Sequence, residues 1–167
     1  MVNVESLPKL KRICGAGSWV VLAISVMTAL LLIGCCVYTA LALTDPEYVM
    51  DPMDNRGTVI NSICETIMLA ACLWCLILGR ELLVSIARNE SPFIHQNVSR
   101  IREIALMLLL SFLVIILLQI LLVIALQPGL YMFDVPLHML VSGIVCYVFY
   151  LIFEYGTALQ TESDDFL

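Results

Sequence analysis

Charge is what this sequence has least of. Asp, Glu, Lys and Arg make up 13% of its 167 residues, against about 25% in an ordinary soluble domain. Basic charge is the scarcer sign, with 8 Lys and Arg facing 14 Asp and Glu for a net charge of −6. That excludes the basic footprint of a nucleic-acid-binding protein, so no direct contact with nucleic acid is expected. Histidine occurs only at His95 and His138. H-E-x-x-H, G-x-S-x-G, P-loop and dinucleotide motifs are all missing. Ser142 and His138 stand at i, i+4, but no carboxylate is assigned to orient the imidazole. The expectation is a non-enzymatic protein with no metal site and no cofactor. The 7 cysteines are odd in number and lie almost entirely inside apolar runs, which argues against a disulfide framework. Cys72 and Cys75 form a C-x-x-C, but mid-run in a hydrophobic segment, outside the strand–turn–helix setting of a redox motif.

What the chain has instead is apolar surface: 62% of residues are hydrophobic and the mean hydropathy is +1.02. A chain of 18.6 kDa must show water a large skin, and too little polar sequence exists to make one. This points to an integral membrane protein. Four segments approach or exceed the roughly 20 apolar residues a spanning helix needs, at 14–43, 58–78, 104–126 and 136–153. Lipid offers no partners for backbone N–H and C=O, so the spans must be helices. The expected fold is all-α, a single membrane domain built as an antiparallel four-helix transmembrane bundle. Two processing readings compete with the first span. Ala40-Leu41-Ala42 looks like a signal-peptidase site, though the apolar run before it is long for one. Leu32-Ile33-Gly34-Cys35 resembles a lipoprotein box, with Cys35 as the acylated residue.

The placement of Lys and Arg sets the orientation. Lys9, Lys11 and Arg12 precede the first span, and Arg80, Arg88, Arg100 and Arg102 lie between the second and third, leaving only Arg56 elsewhere. Both termini are therefore expected in the cytoplasm. Leu82, Leu83 and Ile86 keep helical spacing beyond Gly79, so the second helix should extend into the cytoplasm to about residue 88. Asn89 is a candidate C-cap and Pro92 bars simple continuation. Ile94, Val98, Ile101 and Ile104 then place the start of the third helix near residue 94, with Ser91 and Asn97 as rival N-caps. Gly156 is the candidate stop of the fourth helix, followed by an acidic cytoplasmic tail over 154–167.

Glu90-Ser91-Pro92-Phe93, then Asn97, then Ile101-Arg102-Glu103-Ile104 resembles the family of small bacterial membrane proteins catalogued as domain of unknown function 2975. Leu159-Gln160-Thr161-Glu162-Ser163-Asp164 is similar to that family's Leu-Gln-plus-acidic tail, although Asp165-Phe166-Leu167 departs from its usual apolar ending. The resemblance implies four membrane helices. It also implies a cytosolic helix-turn-helix regulator as partner, since such proteins are commonly encoded beside one. The cytoplasmic surface read for such a partner is Arg88, Phe93, Asn97, Arg100 and Arg102. The tail residues Gln160, Glu162, Asp164 and Asp165 would modulate access, either free in solvent or folded back on the loop arginines. A lipid-headgroup-facing loop is the plainer reading of the same arginines.

Polar side chains inside a span are costly and mark candidate sites. Glu65 lies roughly 10 Å deep from the outer side at 1.5 Å per residue, and Gln119 and His138 fall at similar depth. Asn61, Glu65, Cys72 and Gly79 share one helix face, and His138 and Ser142 share another with Val145 and Phe149. An intramembrane cluster of Asn61, Glu65, Gln119 and His138 is expected. It would serve as polar glue, as a proton, cation or ligand site, or at a homo-oligomer interface. Two functions follow: a regulatory or scaffolding membrane protein, or a small transporter or channel subunit.

Overall fold

The computed structural model describes residues 6–44, 55–88, 94–126 and 133–165. They form four helices, α1 (Ser6–Thr44), α2 (Asn55–Ala87), α3 (His95–Leu126) and α4 (Leu137–Asp165). All four are long and apolar enough to cross a membrane. Even α4, with 29 residues, measures about 43 Å at 1.5 Å per residue, more than the roughly 30 Å of a hydrocarbon core. The helices therefore overrun the apolar runs that define the spans.

The overruns have local causes. Pro8 falls in the first turn of α1, where its missing N–H costs no helical bond, so the helix starts well before residue 14. At the other end of the hairpin, the Ile94 carbonyl accepts from Asn97 N at 2.8 Å and Val98 N at 3.2 Å. Ile94 thus occupies the N-cap position and Asn97 lies inside α3; Ser91, its rival, is outside the described residues. The Gly156 stop is corrected too, because α4 continues through it to Asp165. A helical glycine costs only about 1 kcal/mol. The following turns are held by hydroxyl back-bonds from Thr157 to the Phe153 carbonyl, 2.9 Å, and from Thr161 to the Thr157 carbonyl, 3.0 Å. The acidic tail to Asp165 is helix, so within the described residues it does not fold back on the loop arginines.

The main helix contacts run in chain order, α1 on α2, α2 on α3 and α3 on α4. A closed ring would need α1 and α4 to pack extensively as well, and the described residues show no such pairing. The interior is a stripe on each helix. On α3 the buried residues are Asn97, Val98, Ile101, Ala105, Leu108, Ser111, Ile115 and Gln119, which recur at steps of three and four. On α2, Cys64, Ala71, Leu78 and Ser85 repeat every seven residues. On α4, Met139 and Gly143 face inward. Small residues let backbones approach where lipid gives no hydrophobic drive to association, and Cys, Ala, Ser and Gly recur along these seams among larger Ile, Leu and Met.

Between α1 and α2 the contact is partly polar. The Thr39 hydroxyl hydrogen-bonds to the Ser62 hydroxyl and lies 3.5 Å from that of Thr66. It also reaches its own helix at the Cys35 carbonyl, 2.8 Å. Thr39→Val is expected to cost about 0.6 kcal/mol, the usual worth of such a bond within a membrane. In detergent this is a fall of roughly 2 °C in the unfolding midpoint. A fall of about 6 °C or more would show instead that the hydroxyl cluster is the principal clamp on α1.

Candidate functional site

Polar groups concentrate at the two ends of the helix assembly. At the end formed by the start of α2, the end of α3 and the lead-in to α4, a cavity of about 80 Å³ is lined by Asn61, Cys64, Glu65, Met68, Ile115, Gln119, Asp134 and Pro136. Gln119 is 1% exposed. Its Nε2 donates to the Asp134 carbonyl at 3.0 Å, while its Oε1 is buried with no hydrogen-bond partner. The orientation of the amide is fixed chemically: only NH₂ can face a carbonyl, so the oxygen must take the other direction. Nearby, Arg56 Nη1 donates to the Leu126 carbonyl at 2.7 Å, satisfying one of the orphan acceptors at the end of α3.

Three of the expected polar residues, Asn61, Glu65 and Gln119, meet at this cavity. His138 does not. It is exposed on α4, as are Ser142, Val145 and Phe149, so the face they share points outward. The inward face is one residue over, through Met139 and Gly143, because glycine allows α3 to come close. The same offset applies on α2. Asn61 and Glu65 are exposed and Cys72 and Gly79 half-buried, while Ile60, Cys64, Ala71 and Leu78 are buried. The polar stripe thus rides the flank of the seam, and Glu65 meets the cavity from its edge. Asp134 and Cys64 escaped the sequence reading. Asp134 stood in a segment read as a turn, and Cys64 looked like one more apolar residue.

At the opposite end, Arg80, Glu81, Val84, Ser85, Arg88, Gln96 and Arg100 line a polar groove of about 450 Å³ between α2 and α3. Arg100 pairs with Glu81 at 3.2 Å and donates from Nη1 to Asn97 Oδ1 at 3.1 Å. Arg80 Nε is buried without a hydrogen-bond partner. Asn97, read as a surface residue, is 0% exposed. It stands on the buried stripe of α3 and positions Arg100 from inside. Arg102 belongs to a separate site, with its guanidinium 6.0 Å from the Tyr150 ring centre on α4. There Tyr150 donates to Glu154 Oε1 at 2.7 Å, beside a cavity of about 290 Å³ that includes His95, Thr157 and Thr161. Phe93 lies outside the described residues. Gln160 and Glu162 are exposed on the last turns of α4, and nothing is described of the Asp164 and Asp165 side chains. Arg80 and Gln96 were missed, though Arg80 directly follows the apolar run of the second span and so had a visible signal.

Fold and ends together define a multi-pass, all-helical membrane protein. Residues 47–165 match the family described as protein of unknown function DUF2975, and the chain belongs to that family. No curated protein and no solved structure shows significant similarity to it.

Proposed function

We propose that this chain is a non-enzymatic regulatory or scaffolding protein of a bacterial inner membrane. In this reading it has antiparallel helices, both termini in the cytoplasm, and a cytoplasmic groove that docks an acidic segment of a soluble partner. The observation that carries the reading is the gathering of Arg80, Arg88 and Arg100 around one groove whose lining, among the described residues, includes a single carboxylate, Glu81, already engaged by Arg100. Such an unbalanced patch attracts an anionic partner and sets its register. The family resemblance supports a helix-turn-helix regulator as that partner. The pairings of Thr39 with Ser62 and Arg56 with Leu126, and the cavity shared by His95 and Thr161, favour the antiparallel order, since each joins the end of one helix to the start of the next or the reverse.

The test is capture of a soluble helix-turn-helix regulator, the partner class that the resemblance implies, by tagged full-length protein in detergent. Arg88→Glu, at an exposed position, should lower the retained partner at least tenfold, and Arg80→Glu with Arg88→Glu should abolish capture. Retention unchanged in both variants would defeat the reading. The cavity at the other end favours a second reading, a small transporter or channel subunit, because Glu65 and Gln119 both line it. That reading requires cation flux in proteoliposomes that Glu65→Gln removes.

A further inference from the structure

Where α3 begins and α4 ends, the two helices leave a cavity of about 290 Å³ between them, close to the roughly 300 Å³ at which small-ligand sites begin. Helical spacing puts its side chains there. His95, Ser99 and Arg102 recur at steps of four and three on α3, and Tyr150, Glu154 and Thr161 share the facing side of α4. Val98 and Ala158 add an apolar wall. His95, Arg102 and Glu154 are all exposed, so an occupant of the cavity reaches each of these polar ends.

The cavity holds opposite charges that do not meet. The Arg102 guanidinium lies 6.0 Å from the Tyr150 ring centre, and the Tyr150 hydroxyl donates to Glu154 Oε1 at 2.7 Å. Tyr150 therefore stands between the cation and the carboxylate. Among the described residues the one ion pair is Arg100 with Glu81, so Arg102 and Glu154 share a cavity without pairing across it. A guanidinium near an aromatic ring keeps N–H groups for acceptors, and Tyr150 leaves Glu154 Oε2 untaken. A simple anion here would face Glu154, and a simple cation would face Arg102. A dipolar occupant suits both.

The height of the cavity narrows the choice. Arg102 stands two residues before the apolar run that begins at Ile104, and Glu154 directly follows the run that ends at Phe153. Both charges therefore mark the edge of the hydrocarbon. From Arg102 to His95 the cavity extends about 10 Å at 1.5 Å per residue, comparable to a headgroup layer of roughly 5–8 Å. Toward the hydrocarbon the helices continue with Leu106 on α3 and Tyr147 on α4, both exposed, and the Tyr147 and Tyr150 ring centres are 5.6 Å apart. A lipid seated here has its headgroup between the charges and an acyl chain along Leu106 and Tyr147.

We propose that this cavity binds the headgroup of an aminophospholipid, a phosphodiester ending in a primary ammonium. The phosphate accepts from Arg102 and from the Ser99 hydroxyl, and the ammonium donates to Glu154. The site is separate from the arginine groove between α2 and α3 and does not depend on a partner docking there.

The experiment is native mass spectrometry of purified full-length protein, titrated in detergent with phosphatidylethanolamine, phosphatidylcholine and phosphatidylglycerol of the same acyl chains. The expected result is one phosphatidylethanolamine retained per chain, preferred at least about fivefold over each of the others. Phosphatidylcholine has no N–H to give Glu154, and phosphatidylglycerol has no positive charge. Glu154→Gln should shrink the preference over phosphatidylcholine to less than about twofold, and Arg102→Gln should lower retention of phosphatidylethanolamine at least about fivefold. Glu103→Gln, exposed on α3 and outside the cavity, should change neither, with unfolding midpoints confirming that all three variants fold. Soluble glycerophosphoethanolamine at equal concentration should not displace the lipid. Equal retention of the three lipids would overturn the proposal in favour of an unselective lipid annulus. A preference for phosphatidylglycerol would overturn it in favour of an anion site on Arg102 alone. A preference that survives both cavity variants would place the selection elsewhere, and displacement by the soluble compound would assign the cavity to a free phosphodiester instead.

Discussion

Gly143→Ile is expected to force α4 away from α3 and to lower the unfolding midpoint in detergent by roughly 5–10 °C. The estimate takes about 2–3 kcal/mol for overpacking a closed seam and about 2–4 °C per kcal/mol for a chain of this size. A Cβ built at Gly143 lies 2.9 Å from both Cγ and Cδ2 of Leu109, and 3.3 Å from Leu108 Cβ. Neither Leu109 Cγ nor Leu108 Cβ is the free end of a side chain, so the clash cannot be relieved by a terminal methyl turning aside. Helix propensity acts in the opposite direction, favouring alanine over glycine by about 1 kcal/mol. Sterics should still win at this position, making even Gly143→Ala mildly destabilising. Gly143→Ala combined with Leu109→Ala should be more stable than the sum of the two single changes, because the second removes the atoms the first strikes. Thiol-dye labelling on heating gives the midpoints, using free cysteines such as Cys64, which is buried. A stabilised Gly143→Ala would mean that the α3–α4 seam yields freely, and the expected cost would be withdrawn.

Four helices were legible because each span is a long, predominantly apolar run. Their faces were not, and the reason is physical. In water an amphipathic stripe marks the buried side, whereas in lipid both sides are apolar and hydrophobicity carries little information about which one packs. A stripe of polar residues on α2, from Asn61 to Gly79, therefore looked like the interior and lies one residue away from it. A second signal was size: the small residues Cys64, Ala71 and Ser85 on α2, Ala105 and Ser111 on α3 and Gly143 on α4 line the seams, although Ala70 and Ser142, equally small, are exposed. The heptad spacing from Cys64 to Ser85 was present in the sequence.

The two polar ends divide in the same way. Glu65 and Gln119 could be picked out because each breaks an apolar run, and the structure puts both at one cavity. His138 could be picked out equally well but is directed outward, since α4 turns the neighbouring Met139 and Gly143 toward α3. At the end formed by α2 and the start of α3, sequence alone could not separate Asn97 from Arg100. Three residues apart on a helix, they are neighbours, yet one is sealed inside and the other lines a groove. Their hydrogen bond makes the buried residue the support for the charged one.

That support yields the second large effect. Arg100→Glu should cost about 2–3 kcal/mol, between the small worth of an exposed ion pair and the heavier loss when a buried charge is left unpaired. The side chains fall between those limits, 17% exposed for Arg100 and 49% for Glu81. Three losses combine in the variant: the pair at 3.2 Å breaks, two carboxylates then face each other, and Asn97 Oδ1 loses its donor. Arg100→Met should cost less, since it keeps an apolar stem along the helix and introduces no repulsion. The exchange of both charges, Glu81→Arg with Arg100→Glu, separates pairing from groove charge. It restores an ion pair, and Asn97 can turn its amide NH₂ toward the new carboxylate, so most of the lost stability should return. It also leaves the net charge of the groove unchanged, so capture of an anionic partner should recover beside the midpoint. Recovery of the midpoint without recovery of capture would mean that the partner reads Arg100 itself rather than the field of the groove. Recovery of neither would show that Glu81 and Arg100 are not interchangeable in place, and that Asn97 fixes the arginine alone.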